Sequence, residues 1–367
     1  MKMKRRSTNI IINASLVIIS IIIGLLVIEG VVRFRQYVRY GTTSPYIGGD
    51  RIKDHDTGLM ILPPNTKTAS IKINSLGFRS PELEDPKPLG RVRIAFIGSS
   101  TTFCAEAGEE KRTWPYLVWH DLQKTYPQIK IDYVNAAVVA YGVPNDIVNL
   151  EKRIKPLQPD IVIIYEGFND MCWAANKLAI KQEKSISRES ITWEGLLEKY
   201  SLAYNIIKKN LGIFINQQKA KSGKDRLSFE PKEVSITFRR ELTELVMASK
   251  RAAPIVAIAT LSYKIRREQS GGEKLRNANT ALFYMPYMSL SGLLDAYEEY
   301  NRVIREVAKE TGVILIKNEL IIPGDDRYFK DSIHFTDQGC GLMAKRIVDS
   351  LAGSAEFIDF LRTRIKK

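Results

Sequence analysis

Cysteine and histidine are both scarce in this sequence, with three residues of each among 367. The cysteines, Cys104, Cys172 and Cys340, are odd in number and show no metal-ligand spacing, which argues against a disulfide framework and against a metal site. We therefore expect free thiols. The three histidines leave a short choice of general base for any acid–base chemistry.

Acidic residues are outnumbered by basic ones, 41 to 55, and the net charge is +14. Such an excess suits anionic polymers or lipid headgroups, and it is equally compatible with a solvated surface of no specific role. No nucleic-acid recognition motif accompanies the charge, so we predict no nucleic-acid partner. A hydrophobic content of 44% allows one catalytic domain with appendages.

The N-terminus carries a long uncharged run, from Ser7 to Ile28, after four basic residues. As a helix this run is long enough to cross a hydrocarbon core of about 30 Å. It lacks a small-residue cleavage signature, which favours an anchor over a signal peptide or a buried core helix. We predict that residues 7–28 cross the inner or plasma membrane once.

The basic residues before the run favour a cytoplasmic N-terminus and a catalytic domain on the extracytoplasmic, periplasmic side, although Arg33, Arg35 and Arg39 follow the span. Composition then divides the chain into three parts. Residues 1–40 form a cytoplasmic stub and transmembrane anchor, residues 41–90 a linker that wraps onto the domain, and residues 91–367 the catalytic domain.

Five short apolar runs alternate with helical patterns in the third part, which predicts a parallel sheet covered on both faces. The runs are Arg91–Gly98, Lys130–Val138, Asp160–Gly167, Pro254–Leu261 and Val313–Lys317. The predicted fold is an α/β class, three-layer α/β/α sandwich with a five-stranded, flavodoxin-like sheet. Residues of about 171–253 exceed one crossover helix and predict a helical insertion, packed on the domain, closing over the site as a lid, or lying on the membrane.

Polar residues follow the strands at their carboxyl ends, where ligands bind in open parallel sheets. Ser100 follows the first strand, Asn169 the third, and Asp331 with His334 the fifth. His334 is the favoured base, because His55 lies in the linker and His120 within a helix. A purely structural role is the alternative for each position: a helix cap for Ser100, a turn for Asn169, and a surface ion pair for Asp331 and His334.

The arrangement resembles the SGNH/GDSL hydrolase family from about Arg91 to Leu351 in block order. Gly98-Ser99-Ser100 stands where the family has G-D-S, with Ser99 replacing the aspartate; Gly167–Asp170 matches G-x-N-D, and Asp331 to His334 matches D-x-x-H. The resemblance implies a membrane-anchored, bacterial-type member whose catalytic residues are Ser100, His334 and Asp331.

The resemblance also implies an oxyanion hole made of the Ser100 backbone N–H, the Asn169 side chain and a backbone N–H from the second block. The family's glycine in that block corresponds here to Ala140, with Gly142 as the fallback. Alanine can supply this N–H if its φ is negative or tolerably strained.

The sequence therefore predicts a serine esterase acting on acyl esters, such as O-acyl or O-acetyl groups of envelope glycans or lipids. Its mechanism needs no metal and no organic cofactor. An O-acyltransferase with the same triad is one alternative, and a non-catalytic anchored subunit of an envelope polysaccharide assembly is another.

Overall fold

The central feature of the computed structural model is a five-stranded, all-parallel sheet with strand order β4-β3-β5-β6-β7. The structure describes residues 2–40, 43, 51–68, 70–184, 193–222 and 226–365. The sheet strands are β3 (Val92–Gly98), β4 (Ile131–Asn135), β5 (Ile161–Tyr165), β6 (Ile255–Ala259) and β7 (Ile314–Ile316). The predicted α/β class and five-stranded parallel sheet are confirmed.

Helices cover both faces of the sheet. One layer contains α3 (Trp114–Thr125), α12 (Asp337–Ala352) and α13 (Ala355–Ile365), and the other contains α4 (Val143–Asn149), α8 (Pro231–Ala252) and α11 (Leu290–Thr311). Helix α5 (Phe168–Lys181) packs against α8, and the short helices α2 (Ser100–Phe103), α9 (Gly271–Asn277) and α10 (Asn279–Tyr284) lie among the loops. Because both faces are covered, nearly all strand side chains are buried, which is why the strands are continuous apolar runs.

The strand order creates a topological switch at β3. The chain passes from β3 to β4 on one side, and β5 then pairs with β3 on the other, with Gly98 beside Tyr165 in the register. Loops that leave β3 and β5 therefore diverge and open a crevice at the carboxyl ends of these strands. The residues that follow β3 and β5 are the ones that sequence reasoning singled out.

The N-terminal helix α1 (Lys2–Tyr40) projects from this sandwich. Its stretch from Ile12 to Val38 is long and apolar enough to span a membrane, and none of the most apolar part is buried against the protein. A membrane anchor and a signal sequence both have these properties.

The segment before the sheet contacts the domain through a buried arginine. It begins with a small antiparallel pair, β1 (Ile52–Lys53) and β2 (Met60–Ile61). Arg79 donates to the carbonyl oxygens of Phe103 and Cys104 at 2.8 and 2.9 Å and forms an ion pair with Glu110. Residues 41, 42, 44–50 and 69 of the predicted linker lie outside the described residues.

The long connection between β5 and β6 is helical in its described parts. Between α5 and α8 it contains α6 (Trp193–Tyr200) and α7 (Leu202–Ser222), and α7 packs against α10 and α1. Residues 185–192 and 223–225 of the predicted insertion lie outside the described residues. All three cysteines are buried free thiols, as expected.

Candidate active site

Three side chains from opposite ends of the domain form one chain of hydrogen bonds at the crevice. His334 Nε2 lies 2.9 Å from Ser100 Oγ, and His334 Nδ1 lies 2.8 Å from Asp331 Oδ2. With the proton on Nδ1, Nε2 is left as an acceptor for the serine hydroxyl proton. The arrangement therefore couples a hydroxyl to a base that a carboxylate orients.

A steric constraint sets the turn that presents Ser100. Gly98 ends β3 with a φ of 152°, and a Cβ there would lie 2.3 Å from the Tyr165 carbonyl oxygen. Only glycine fits such a position, since both the conformation and the space exclude a side chain. The chain turns sharply into α2, whose first residue is Ser100.

The loop that carries Asp331 and His334 is closed by its own hydrogen bonds. Asp331 Oδ1 accepts from the backbone N–H groups of Ile333 and His334, each at 2.9 Å. The Ser332 hydroxyl accepts from the N–H groups of Thr280 and Ala281 at the start of α10. The D-x-x-H segment is thus held both internally and by α10.

Charge and burial have opposite effects on the pKa values of His334 and Asp331. Burial disfavours the imidazolium, but the Asp331 charge and hydrogen bond outweigh it and raise the pKa of His334 above its ordinary value. Burial alone would raise the pKa of Asp331, yet the charge and hydrogen bonds of His334, with the Ile333 N–H, hold it well below its usual range. Asp331 is therefore ionised throughout the range in which His334 titrates.

Asn169 lies beside this triad with its amide orientation set by a neighbouring loop. Its Nδ2 donates to the Tyr141 carbonyl oxygen at 2.6 Å, which leaves a second N–H on the same nitrogen. Within the described part of the chain, no hydrogen bond uses the backbone N–H of Ser100 or of Ala140. These donors are available to an oxygen in the crevice.

Ala140 occupies the left-handed region, with a φ of 65°. This conformation costs an L-residue about 1–2 kcal/mol and is the one that glycine adopts freely. Gly142 has a different constraint, because a Cβ there would lie 2.5 Å from the Trp173 ring, and its N–H donates to Asn145 Oδ1 at 3.2 Å. Gly142 is thus engaged in local packing and capping.

Three buried carboxyls behind these loops were missed by the sequence analysis. Asp146, Glu166 and Asp170 are each almost fully buried, and oxygens on all three accept no hydrogen bond from a donor in the described chain. The Asp146 and Glu166 carboxyls are in close contact, and each affects the pKa of the other. Such contact is favourable only when a proton lies between the two groups.

Burial, reinforced by the neighbouring carboxyls, raises the pKa of Asp146 and of Glu166 well above the ordinary values. Burial also raises the pKa of Asp170 to about 7. The cluster is therefore largely neutral at moderate pH, which keeps negative charge away from the donors around Ser100 and Asn169. The sequence signals were Glu166, an acid directly before the Gly167-x-Asn169 turn, and Asp170, the last residue of the G-x-N-D match, to which no role was assigned.

Among the described residues, no group of three or more His, Cys, Asp or Glu side chains could hold a metal ion. The chemistry that the described geometry supports is attack by an activated hydroxyl on an electrophilic carbon, with N–H donors nearby for the resulting oxyanion.

Comparison with known proteins agrees with this chemistry. A family model described as the GDSL-like Lipase/Acylhydrolase family matches residues 96–342. No curated protein matches the chain.

Two solved structures resemble it at low identity. An acetylxylan esterase from Geobacillus stearothermophilus is 18% identical, with a TM-score of 0.45, over 72% of this chain and 95% of that one. An alpha/beta hydrolase from the metagenome of Lake Arreo, Spain, is 15% identical, with a TM-score of 0.44, over 71% of this chain and 94% of that one.

The carboxyl cluster predicts that the free energy of unfolding depends on pH. Glu166→Gln should weaken this dependence. A raised folded-state pKa means that the folded chain holds a proton that the unfolded chain has released, so stability falls as pH rises above the unfolded value of about 4.3. Glutamine keeps an acceptor for the Gly167 N–H, which Glu166 Oε1 binds at 2.8 Å, and removes this titration. Urea unfolding at about pH 5 and about pH 8 should show the variant gaining stability relative to wild type at the higher pH.

Glu244→Gln, at an exposed position of α8, is the matched control and should show the same difference from wild type at both pH values. An equal loss of stability at both pH values in the Glu166 variant would mean that the cluster is ionised in the folded protein.

Proposed function

The chain belongs to the GDSL-like lipase/acylhydrolase family, since the family model covers residues 96–342 of 367; from this membership we propose that it is a serine ester hydrolase. The observation that carries the proposal is the hydrogen-bonded chain from Ser100 through His334 to Asp331. Side chains 234 positions apart meet in the order that nucleophile, base and orienting carboxylate require.

The proposed reaction has two halves. In the first, His334 takes the Ser100 proton while Oγ attacks the ester carbonyl, and the tetrahedral intermediate collapses as the imidazolium returns the proton to the departing alcohol. In the second, His334 deprotonates a water molecule that attacks the acyl-serine, and the acid leaves as the proton returns to Ser100. Atoms balance with ester and water alone, and Asp331 stabilises the imidazolium in both halves.

We assign the oxyanion donors to the Ser100 N–H, the Ala140 N–H and the Asn169 Nδ2. Support comes from the free N–H groups of Ser100 and Ala140, and from the Tyr141 carbonyl that orients the Asn169 amide. Ala140 is favoured over Gly142 because the Gly142 N–H already binds Asn145. Each donor should contribute about 3 kcal/mol to transition-state stabilisation.

The proposed setting is the extracytoplasmic side of the inner or plasma membrane, with α1 as the anchor. The uncovered apolar stretch of α1 and the basic residues before it support this placement. The proposed substrates are acyl esters of envelope glycans or lipids, which are found in that compartment.

The hydrolase proposal is tested by p-nitrophenyl acetate hydrolysis with the full chain in detergent micelles. Wild type should release p-nitrophenol. Ser100→Ala should reduce the rate nearly to that of the uncatalysed reaction, with a small residual acceleration from the remaining oxyanion donors. A fluorophosphonate probe should label wild type at Ser100. Ser99→Ala, one residue earlier, is the matched control and should retain labelling; labelling at Ser99 instead would contradict the assignment.

Activity should rise with pH through the titration of His334, because only the neutral imidazole accepts the serine proton. Since Asp331 raises the pKa of His334, the midpoint in kcat/KM should lie above about 6.5. Asp331→Asn removes that charge, so the midpoint should move to lower pH while turnover falls by about 10⁴. A pH profile and turnover like those of wild type would remove Asp331 from the mechanism.

The topology is tested with reporter fusions after residue 60. Alkaline phosphatase should be active there, because it needs an oxidising compartment for its disulfides, and β-galactosidase at the same point should be inactive. The full protein should stay in the membrane fraction through a high-salt wash, since a spanning helix is not released by screening. The reverse fusion pattern would place the catalytic domain in the cytoplasm.

A further inference from the structure

Helix α7 exposes a stripe of large apolar side chains. Ile207, Leu211, Phe214 and Ile215 are each between 42% and 58% exposed. Their spacing of four, seven and eight positions from the first places them on one side of the helix. The same helix contains four lysines and no acidic residue. Apolar residues on one side with basic residues around them are typical of helices that lie in a membrane interface.

The start of α7 is held by the apolar N-terminal helix. The Glu29 carboxylate accepts from the Leu202 and Ala203 backbone N–H groups, each at 2.9 Å, and from the Ser201 hydroxyl at 2.8 Å. It caps the free N–H groups of α7 and complements the positive end of the helix. Arg33 adds to the junction, pairing with Glu29 at 2.7 Å and donating to the Tyr200 carbonyl oxygen.

This junction sets the depth of α7. Glu29 is the first charged residue after the uncharged run from Ser7 to Ile28, so it lies where the proposed span leaves the hydrocarbon core. The stripe ends at Ile215, 13 residues from Leu202, or about 20 Å along the helix. The stripe therefore extends no more than about 20 Å along α7 from the residue at which the proposed span leaves the hydrocarbon core.

The other side of α7 faces the catalytic domain. Asn216 donates to the carbonyl oxygen of Leu282 in α10, and Gln217 donates to that of Leu275 in α9. The start of α10 donates in turn to the Ser332 hydroxyl, between Asp331 and His334. Lys209 of α7 lies near enough to His334 that its charge opposes protonation of the imidazole. The helix thus connects α1 to the rim of the active site.

We propose that α7 is an interfacial helix that lies along an anionic bilayer surface, with Ile207, Leu211, Phe214 and Ile215 among the lipids and the mouth of the active site at headgroup level. The proposal rests on the proposed membrane anchor and deepens the proposed function, because it assigns the substrate to acyl esters carried by molecules of that same membrane surface. The bilayer is the occupant because the stripe is continuous with α1 through the Glu29 junction. Lys219 and Lys221, exposed in the last turn of α7, complement anionic headgroups.

The experiment uses the full chain reconstituted in vesicles of phosphatidylcholine and phosphatidylglycerol, with Phe214→Cys labelled by a polarity-sensitive fluorophore. The three native cysteines are buried, so the introduced thiol is the reactive one. Ile236→Cys, at a 66% exposed position on α8, is the matched control. The label at 214 should be blue-shifted, quenched by lipids brominated near the headgroup, and shielded from aqueous iodide; the label at 236 should show the opposite pattern.

A label at 214 that iodide quenches as strongly as the label at 236 overturns the proposal. Shielding from iodide without quenching by brominated lipid also overturns it, in favour of a protein contact. Flotation of the same samples separates this result from failure of the anchor, because an anchored protein floats with the vesicles even when α7 is in water.

A functional measurement distinguishes the proposed membrane contact of α7 from the proposed ester hydrolysis. Replacing Leu211, Phe214 and Ile215 together by serine leaves the triad and its contacts intact. Hydrolysis of p-nitrophenyl acetate in solution should then be unchanged, and hydrolysis of a vesicle-borne acyl ester should be lost. Equal activity on both substrates overturns the membrane role of α7, whereas wild-type inactivity on both would contradict the ester hydrolase instead.

Discussion

The site depends first on a steric fact at the end of β3, where Gly98 leaves no room for a side chain against the Tyr165 carbonyl oxygen of the neighbouring strand. Because the backbones approach so closely, the chain can reverse direction within two residues and start α2 at Ser100. Thr102, one turn later, donates to the same Tyr165 carbonyl at 3.1 Å and holds α2 on the sheet. The Ser100 hydroxyl is therefore presented by a rigid parallel pair of strands, and the residues that act on it need only be brought to that point.

The carboxyl groups at this edge of the sheet differ in protonation, because their surroundings shift their pKa values in opposite directions. Asp331 is kept ionised by backbone N–H groups and by the imidazole it orients, and its charge strengthens His334 as a base. The Gly167 N–H donates to one Glu166 oxygen, but the other Glu166 oxygen and both Asp146 oxygens have no donor in the described chain, and burial raises the pKa of both carboxyls. Negative charge is thus concentrated beside the imidazole and lowered on the side where the proposed oxyanion would form, an arrangement that suits the proposed attack by Ser100.

The helical insertion between β5 and β6 connects this site to the N-terminal helix. Helix α7 contacts the N-terminal helix at one end through Glu29 and contacts α10 through Asn216, and the start of α10 holds Ser332 between Asp331 and His334. One continuous set of contacts therefore joins the apolar N-terminal helix to the loop that carries the base. The proposed anchor and the proposed catalytic centre are parts of one packed unit, which relates the orientation of the active site to that of the membrane surface.

The sequence alone determined the five strands, the sandwich and the convergence of Ser100, Asp331 and His334, because each depends on local signals: short apolar runs, a glycine turn, and a carboxylate three residues before a histidine. It named Ala140 as an oxyanion donor, and only the folded loop decided that this alanine takes a left-handed φ of 65°. The sequence does not show that Asp146 and Glu166 are neighbours, because Asp146 lies in α4 and Glu166 directly follows β5. The contact of Glu29 with Ala203 spans 174 positions. Such contacts cannot be predicted from local sequence. The free energy of a buried carboxyl or a capped helix end depends on groups that only the tertiary structure brings within hydrogen-bond distance.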